Sequence, residues 1–101
     1  MNVSALYFTE TEAQFQASVI RYAELMGWRV YHVHDSRKSR AGFPDLVMVR
    51  RPRVIFAELK RERGRLSSSQ LEWLTALDGC NVECYVWKPS QWRIIEAQLR
   101  K

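Results

Sequence analysis

The chain is 101 residues long, 47% hydrophobic and 27% charged, the length expected of one domain and a composition that argues against disorder. A chain this short buries ~65% of its unfolded surface, enough for one core, so dimerisation is a natural way to gain further surface. The net charge of +5 and the pI of about 9.6 favour a polyanionic partner such as nucleic acid, and no apolar run reaches the ~20 residues of a membrane span.

The opening MNVSALYFTETE has no basic start and no long apolar stretch, so no secretory signal is expected. A first helix is predicted over about Thr11–Met26. It starts on a capping box made by Thr9 and Glu12 or by Thr11 and Gln14, buries Phe15, Val19, Tyr22, Ala23 and Met26 at helical spacing, and stops at Gly27. At about 100° per residue, Glu12 falls about 20° from Val19, an acid on the edge of the buried face; Glu10 and Glu24 point outward. A strand over Trp28–His34 follows, rich in aromatic and β-branched residues. DSRKSRAGFP, Asp35 to Pro44, lacks periodicity and reads as an exposed basic loop.

Strands over Asp45–Arg50 and Arg53–Lys60 are separated only by Arg51 and Pro52, which predicts an antiparallel hairpin. ERGRL leads to a second helix over Ser68–Asp78, with Ser67 and Gln70 as its capping box and Gly79 as its stop. A fourth strand over Asn81–Trp87 and a last helix over Ser90–Leu99 complete the order αβββαβα. The third and fourth strands flank a helix, so they are expected to run parallel in a mixed four-stranded α/β sheet. Cys80 and Cys84 lack C-x-x-C spacing and are expected as reduced thiols near a core strand. The whole reads as a soluble, cytoplasmic domain.

Ten of the sixteen basic residues lie between Arg37 and Arg65, opposed there only by Asp45, Glu58 and Glu62. A solvated basic surface is the plainer explanation of such a cluster, but the hairpin gives it a centre. If the turn lies between Arg51 and Pro52, paired residues have numbers summing to 103, and Asp45 stands opposite Glu58. Opposed side chains share a face with Cβ atoms ~4.5–5.5 Å apart, and Lys60, two residues on, shares it too. Two carboxylates set together among apolar strands are unfavourable unless a cation joins them, and hard divalent cations take carboxylate and phosphate oxygens. E-L-K alone would equally fit a strand-end ion pair. Gln70 shares a helix face with Leu74 and Leu77; a polar residue there needs a partner, or it serves only as a cap. Glu12 could equally be a favourable acid at a helix N-terminus.

GFPDL, twelve residues between P-D and E-L-K, and the flanking TEAQFQ, GW-VYH, L-S-x-x-Q-x-x-WL and VWKP resemble the VRR-NUC branch of the PD-(D/E)XK nucleases over roughly Glu12 to Pro89. That branch includes small stand-alone phage and bacterial enzymes and the nuclease domain of a eukaryotic DNA-repair enzyme. The resemblance implies a restriction-endonuclease-like core and Mg²⁺- or Mn²⁺-dependent endonucleolytic cleavage of DNA leaving 5′-phosphate and 3′-hydroxyl ends. It implies that Asp45, Glu58 and the Leu59 carbonyl hold the metal, with Glu12 binding directly or through water. It assigns Lys60 to the attacking water and the developing charge, and Gln70 to the metal-bound water or phosphate. Stand-alone members are associated with branched DNA, like Holliday junction resolvases, and a homodimer would suit a two-fold symmetric junction.

Arg37, Lys38 and Arg40 flank the GFPD turn, and Arg61, Arg63 and Arg65 extend from Lys60; both groups are expected to contact backbone phosphates. His32 and His34 share a strand face and could be a zinc pair, a base or, for His34, a DNA contact, but zinc lacks a third ligand at suitable spacing. Trp28, Trp73, Trp87 and Trp92 are better placed for the core than for stacking on bases. The alternatives to a nuclease are a non-catalytic nucleic-acid-binding module and a subunit of a larger repair or restriction complex.

Overall fold

The computed structural model describes residues 11–33 and 40–101; the expectations placed on Thr9, Glu10, His34, Arg37 and Lys38 fall outside them. Helix α1 is Glu12–Leu25. Of the two possible capping boxes it uses Thr11 and Gln14: the Gln14 N–H donates to Thr11 Oγ1 at 3.1 Å and the Thr11 N–H to Gln14 Oε1 at 2.9 Å. Phe15, Val19 and Ala23, four residues apart, are fully buried. The helix ends in a Schellman motif, with Gly27 at φ 89°, the Gly27 N–H on the Glu24 carbonyl and the Trp28 N–H on the Ala23 carbonyl. Trp28 is thereby spent on the helix terminus, and strand β1 is Arg29–His32 rather than the longer Trp28–His34.

Strands β2, Leu46–Arg50, and β3, Arg53–Leu59, pair antiparallel in the expected register, Arg50 with Arg53 and Leu46 with Ala57. The ladder stops short of Asp45. Proline at 44 has no N–H to continue it, and the Leu59 N–H, which faces β2, is taken by Asp45 Oδ2 at 2.8 Å. Helix α2, Ser68–Asp78, carries the chain across to β4, Glu83–Trp87, which runs parallel to β3. The sheet is mixed, in the order β1-β2-β3-β4. A 3-10 turn at Pro89–Gln91 leads into α3, Trp92–Arg100, and the Glu62 carboxylate accepts from both the N–H and the hydroxyl of Ser90 at its start.

Alternation along the strands divides the sheet into two faces. Leu46, Met48, Ile55, Ala57 and Leu59 point into the core with Phe15, Val19 and Ala23 of α1 and Ile95 and Leu99 of α3. Burying side chains of this size contributes ~1.5–3 kcal/mol each. At the turn end of the hairpin, Arg50 donates to the carbonyls of Met26 and Leu99, at 2.8 and 3.0 Å. Its guanidinium lies 4.6 Å from the Trp28 ring centroid, and that of Arg53 lies 4.8 Å away. Two cations and an indole thus fasten the C-terminal ends of α1 and α3, where unsatisfied carbonyls and the helix dipole favour positive charge. Trp28 and Trp87 are core residues and Trp92 packs against the core, as expected, whereas Trp73, expected there too, is half-buried and outside the core cluster. Cys80 and Cys84 are free thiols. Among the described residues no helix is long and apolar enough to cross a membrane.

Candidate active site

The opposite face of the hairpin carries the charged residues. Glu58 is only 2% exposed and is the buried ionisable side chain among the described residues. Its Oε2 accepts from Gln70 Nε2 at 3.0 Å and lies 3.6 Å from the Lys60 ammonium. Its Oε1 is buried with no hydrogen-bond partner. Gln70 reaches it while also serving as the N3 residue of α2: its N–H donates to Ser67 Oγ and its Oε1 accepts from the Ser67 N–H. Capping and contact with the acid, alternatives in the sequence, coexist here because the cap uses the amide oxygen and leaves the amide nitrogen free for the carboxylate.

Burial pushes the Glu58 carboxyl up to about 7, the Asp45 carboxylate beside it adds to the rise, and Lys60 opposes it. One oxygen is satisfied by an amide and an amine, and the other is left without a donor next to a second carboxylate. An oxygen-rich pair of this kind, with a buried lone pair unmet, fits a hard divalent cation. Asp45 and Glu58 supply the side-chain oxygens. Among the described residues no three His, Cys, Asp or Glu side chains are gathered closely enough to enclose a metal by themselves. Glu12 is exposed but lines the same cavity as the pair. The cavity, of about 190 Å³, is walled by Glu12, Arg40, Gly42, Asp45, Glu58, Lys60 and Gln70 with Val33 and Phe43.

Of the basic residues singled out in the sequence, Arg40 lies in this wall. Arg61, Arg63 and Arg65 are exposed and are not among its walls, because the segment after Lys60 turns away, tied by Glu62 to Ser90. The Leu59 side chain is in the core, so any part it takes at the site is through its backbone. The sequence reading treated Gly42 only as a turn residue. Its φ is 90°, and a Cβ there would lie 2.4 Å from the Ser69 carbonyl carbon and oxygen and 2.7 Å from the Gln70 nitrogen. The missing side chain lets the GFPD segment press against the first turn of α2, bringing Asp45 and Gln70 to one site. A glycine two residues before the proline was the available signal; its contact across 27 positions of sequence was not.

The mixed sheet, the leading helix and the acid pair beside a lysine at the end of a hairpin define a restriction-endonuclease-like fold of the PD-(D/E)XK class. The VRR-NUC domain model matches residues 5–91, and the chain belongs to that family. Among solved structures, two described as a VRR_NUC domain and a VRR_NUC domain protein superpose with TM-scores of 0.71 and 0.70 at 21% and 19% identity. They cover 87% and 88% of this chain and 92% and 86% of their own. Hjc, a Holliday junction resolvase from the archaeal hyperthermophile Archaeoglobus fulgidus, superposes with a TM-score of 0.58 at 24% identity over 73% of this chain. The match spans 63% of the length of that resolvase. At these identities the likeness is one of fold. No curated protein matches the chain.

Proposed function

We propose that the chain is a metal-dependent endonuclease that hydrolyses DNA phosphodiester bonds. The observation that carries this reading is the buried Glu58 carboxylate, one oxygen held by Gln70 and Lys60 and the other unmet beside Asp45. Asp45 and Glu58, with the Leu59 carbonyl, would hold Mg²⁺ or Mn²⁺, and Glu12 would act through water. When bound, such an ion polarises the phosphoryl oxygen and makes an attacking water more acidic.

The chain's own residues supply the rest. Lys60 offers an ammonium to the attacking water and to the charge that builds on the phosphoryl oxygens as the new O–P bond forms and the P–O3′ bond breaks. Gln70 fixes the orientation of Glu58, so the carboxylate need not reorganise during the reaction. Arg40, at the rim, together with Arg37, Lys38 and His34 before it in sequence and Arg61, Arg63 and Arg65 beyond Lys60, would hold the backbone phosphates and position the strand without reading its bases.

By analogy with the resolvase, the preferred substrate is branched DNA and the working unit a homodimer acting in the cytoplasm; a strict monomer in light scattering would remove the two-fold part of this reading. The decisive experiment is cleavage of labelled single-stranded, duplex, flap and four-way-junction DNA with Mg²⁺ or Mn²⁺, comparing the wild type with Lys60→Ala. Loss of cutting in the variant, with DNA still bound, supports the assignment. Equal cutting by both proteins removes Lys60 from the mechanism, and cutting by neither leaves a binding module.

A further inference from the structure

Beside the catalytic cavity lies a second, larger hollow of about 590 Å³ lined by Tyr31, Val33, Arg40, Phe43, Val47 and Trp73, a size typical of small-molecule pockets. Resting on the nuclease reading above, we infer that it is a nucleobase subsite, taking an unpaired base of the substrate strand next to the phosphate that is cut. Three of its walls, Val33, Arg40 and Phe43, are also walls of the catalytic cavity, so the two spaces are one side chain apart.

Strand geometry makes this adjacency inevitable. Tyr31 pairs with Val47, and Val47 is two residues from Asp45, so Tyr31, Val33 and Val47 share the sheet face of the acid pair. Helix α2 covers that face over β4, where Leu74 lies near Cys84 and Val86. Over β1 and β2 no helix of the described residues covers that face, and Tyr31 is 62% exposed.

The walls suit a flat π-system. Phe43 is held edge-on between Trp73, at 5.0 Å and 81°, and Phe56, at 6.0 Å and 83°. It is a braced wall, and the exposed Tyr31 ring stands at the mouth of the same hollow. Aromatic side chains stack on any base, and Arg40, on the border between the two spaces, adds a cation that suits both a base face and a phosphate. A second copy of the chain, itself carrying a net charge of +5, is the poorer electrostatic match to an arginine-walled hollow; a polyanion is the better one.

The test uses a duplex with one unpaired nucleotide, either 2-aminopurine or an abasic analogue. In EDTA, binding should quench the 2-aminopurine with wild type and Tyr31→Phe and much less with Tyr31→Ala. With Mg²⁺ or Mn²⁺, wild type should cut the base-bearing substrate about tenfold faster in kcat/KM than the abasic one. Tyr31→Ala should bring that ratio close to one while cutting fully paired duplex at the wild-type rate. Equal rates on the two substrates with wild type, or unchanged quenching in Tyr31→Ala, would overturn the subsite. So would a Tyr31→Ala protein of halved mass in light scattering with loss on every substrate alike, since the hollow would then be an interface between copies. If wild type cuts nothing yet the quenching depends on Tyr31, the nuclease reading fails and the subsite stands.

Discussion

Replacing Glu58 by glutamine tests the site without any DNA. In the metal-free protein the Glu58 carboxyl is lifted from its ordinary 4.5 to about 7 by burial and by the Asp45 carboxylate. At about 1.4 kcal/mol for each tenfold change in proton affinity, that lift amounts to about 3 kcal/mol. The native state holds this proton more tightly than the unfolded chain, so stability falls as pH rises from about 4.5 to about 7 and stays reduced above that. Glutamine keeps the shape and carries no charge. In EDTA, Glu58→Gln should therefore melt about 10 °C or more above wild type at pH 8, and the gap should nearly close at pH 4.5. Added Mn²⁺ should reverse the order, raising the wild type with little effect on the variant. Thermal unfolding followed by circular dichroism across this pH range is the assay. Parallel wild-type and variant curves in EDTA, with a gap that ignores pH, would refute the account of Glu58 as a charge held at a cost until a cation arrives.

Three further outcomes are expected. Gln70→Ala removes the Glu58 contact and the bond from the Ser67 N–H while keeping the N–H bond to Ser67 Oγ, and should weaken Mn²⁺ binding ~10–100-fold by calorimetry; Ser67→Ala removes the bond to Ser67 Oγ, costing ~1 kcal/mol in urea unfolding with metal affinity retained. Gly42→Ala puts a methyl group into the Ser69 backbone at a φ of 90°, so it should cost ~1–3 kcal/mol in strain and diminish the Mn²⁺-dependent rise in melting temperature. The Glu83 carboxyl is held below its usual range by its two hydrogen bonds from Arg53, at 2.6 and 2.7 Å. Its stabilisation is thus present above about pH 4.5 and lost on acidification, so Glu83→Gln should cost ~1–2 kcal/mol at pH 7 and almost nothing near pH 2, as read from urea unfolding.

The hairpin was legible because its information is local. A two-residue turn fixes the register, and the register alone sets Asp45 near Glu58 and Lys60 on the same face. The cap of α2 was legible for the same reason, since Ser67 and Gln70 are three residues apart; the same spacing left two candidates for α1, of which Thr11 with Gln14 forms. What stayed hidden is what depends on approach between distant segments. Gly42 against Ser69 is one case, and Arg50 reaching the Met26 and Leu99 carbonyls across 24 and 49 positions is another. Trp28, aromatic and next to a β-branched run, has strand propensity; the helix terminus before it claimed its N–H first. The aromatic hollow also escaped notice, because Tyr31, Phe43 and Trp73 belong to three separate segments and only the folded sheet gathers them. That Glu12 lines one cavity with Asp45 and Glu58 is a property of packing that no helical wheel contains.

The Arg50–Trp28–Arg53 sandwich lies at the turn end of the hairpin, five strand residues from the acids, or ~17 Å at ~3.4 Å per residue. The clasp on the two helix ends and the acid pair therefore sit at opposite poles of a single ribbon. Substitutions that loosen or tighten the clasp act at a distance from the carboxylates, and can shift how firmly the helix ends are held while Asp45, Glu58 and Lys60 keep their places.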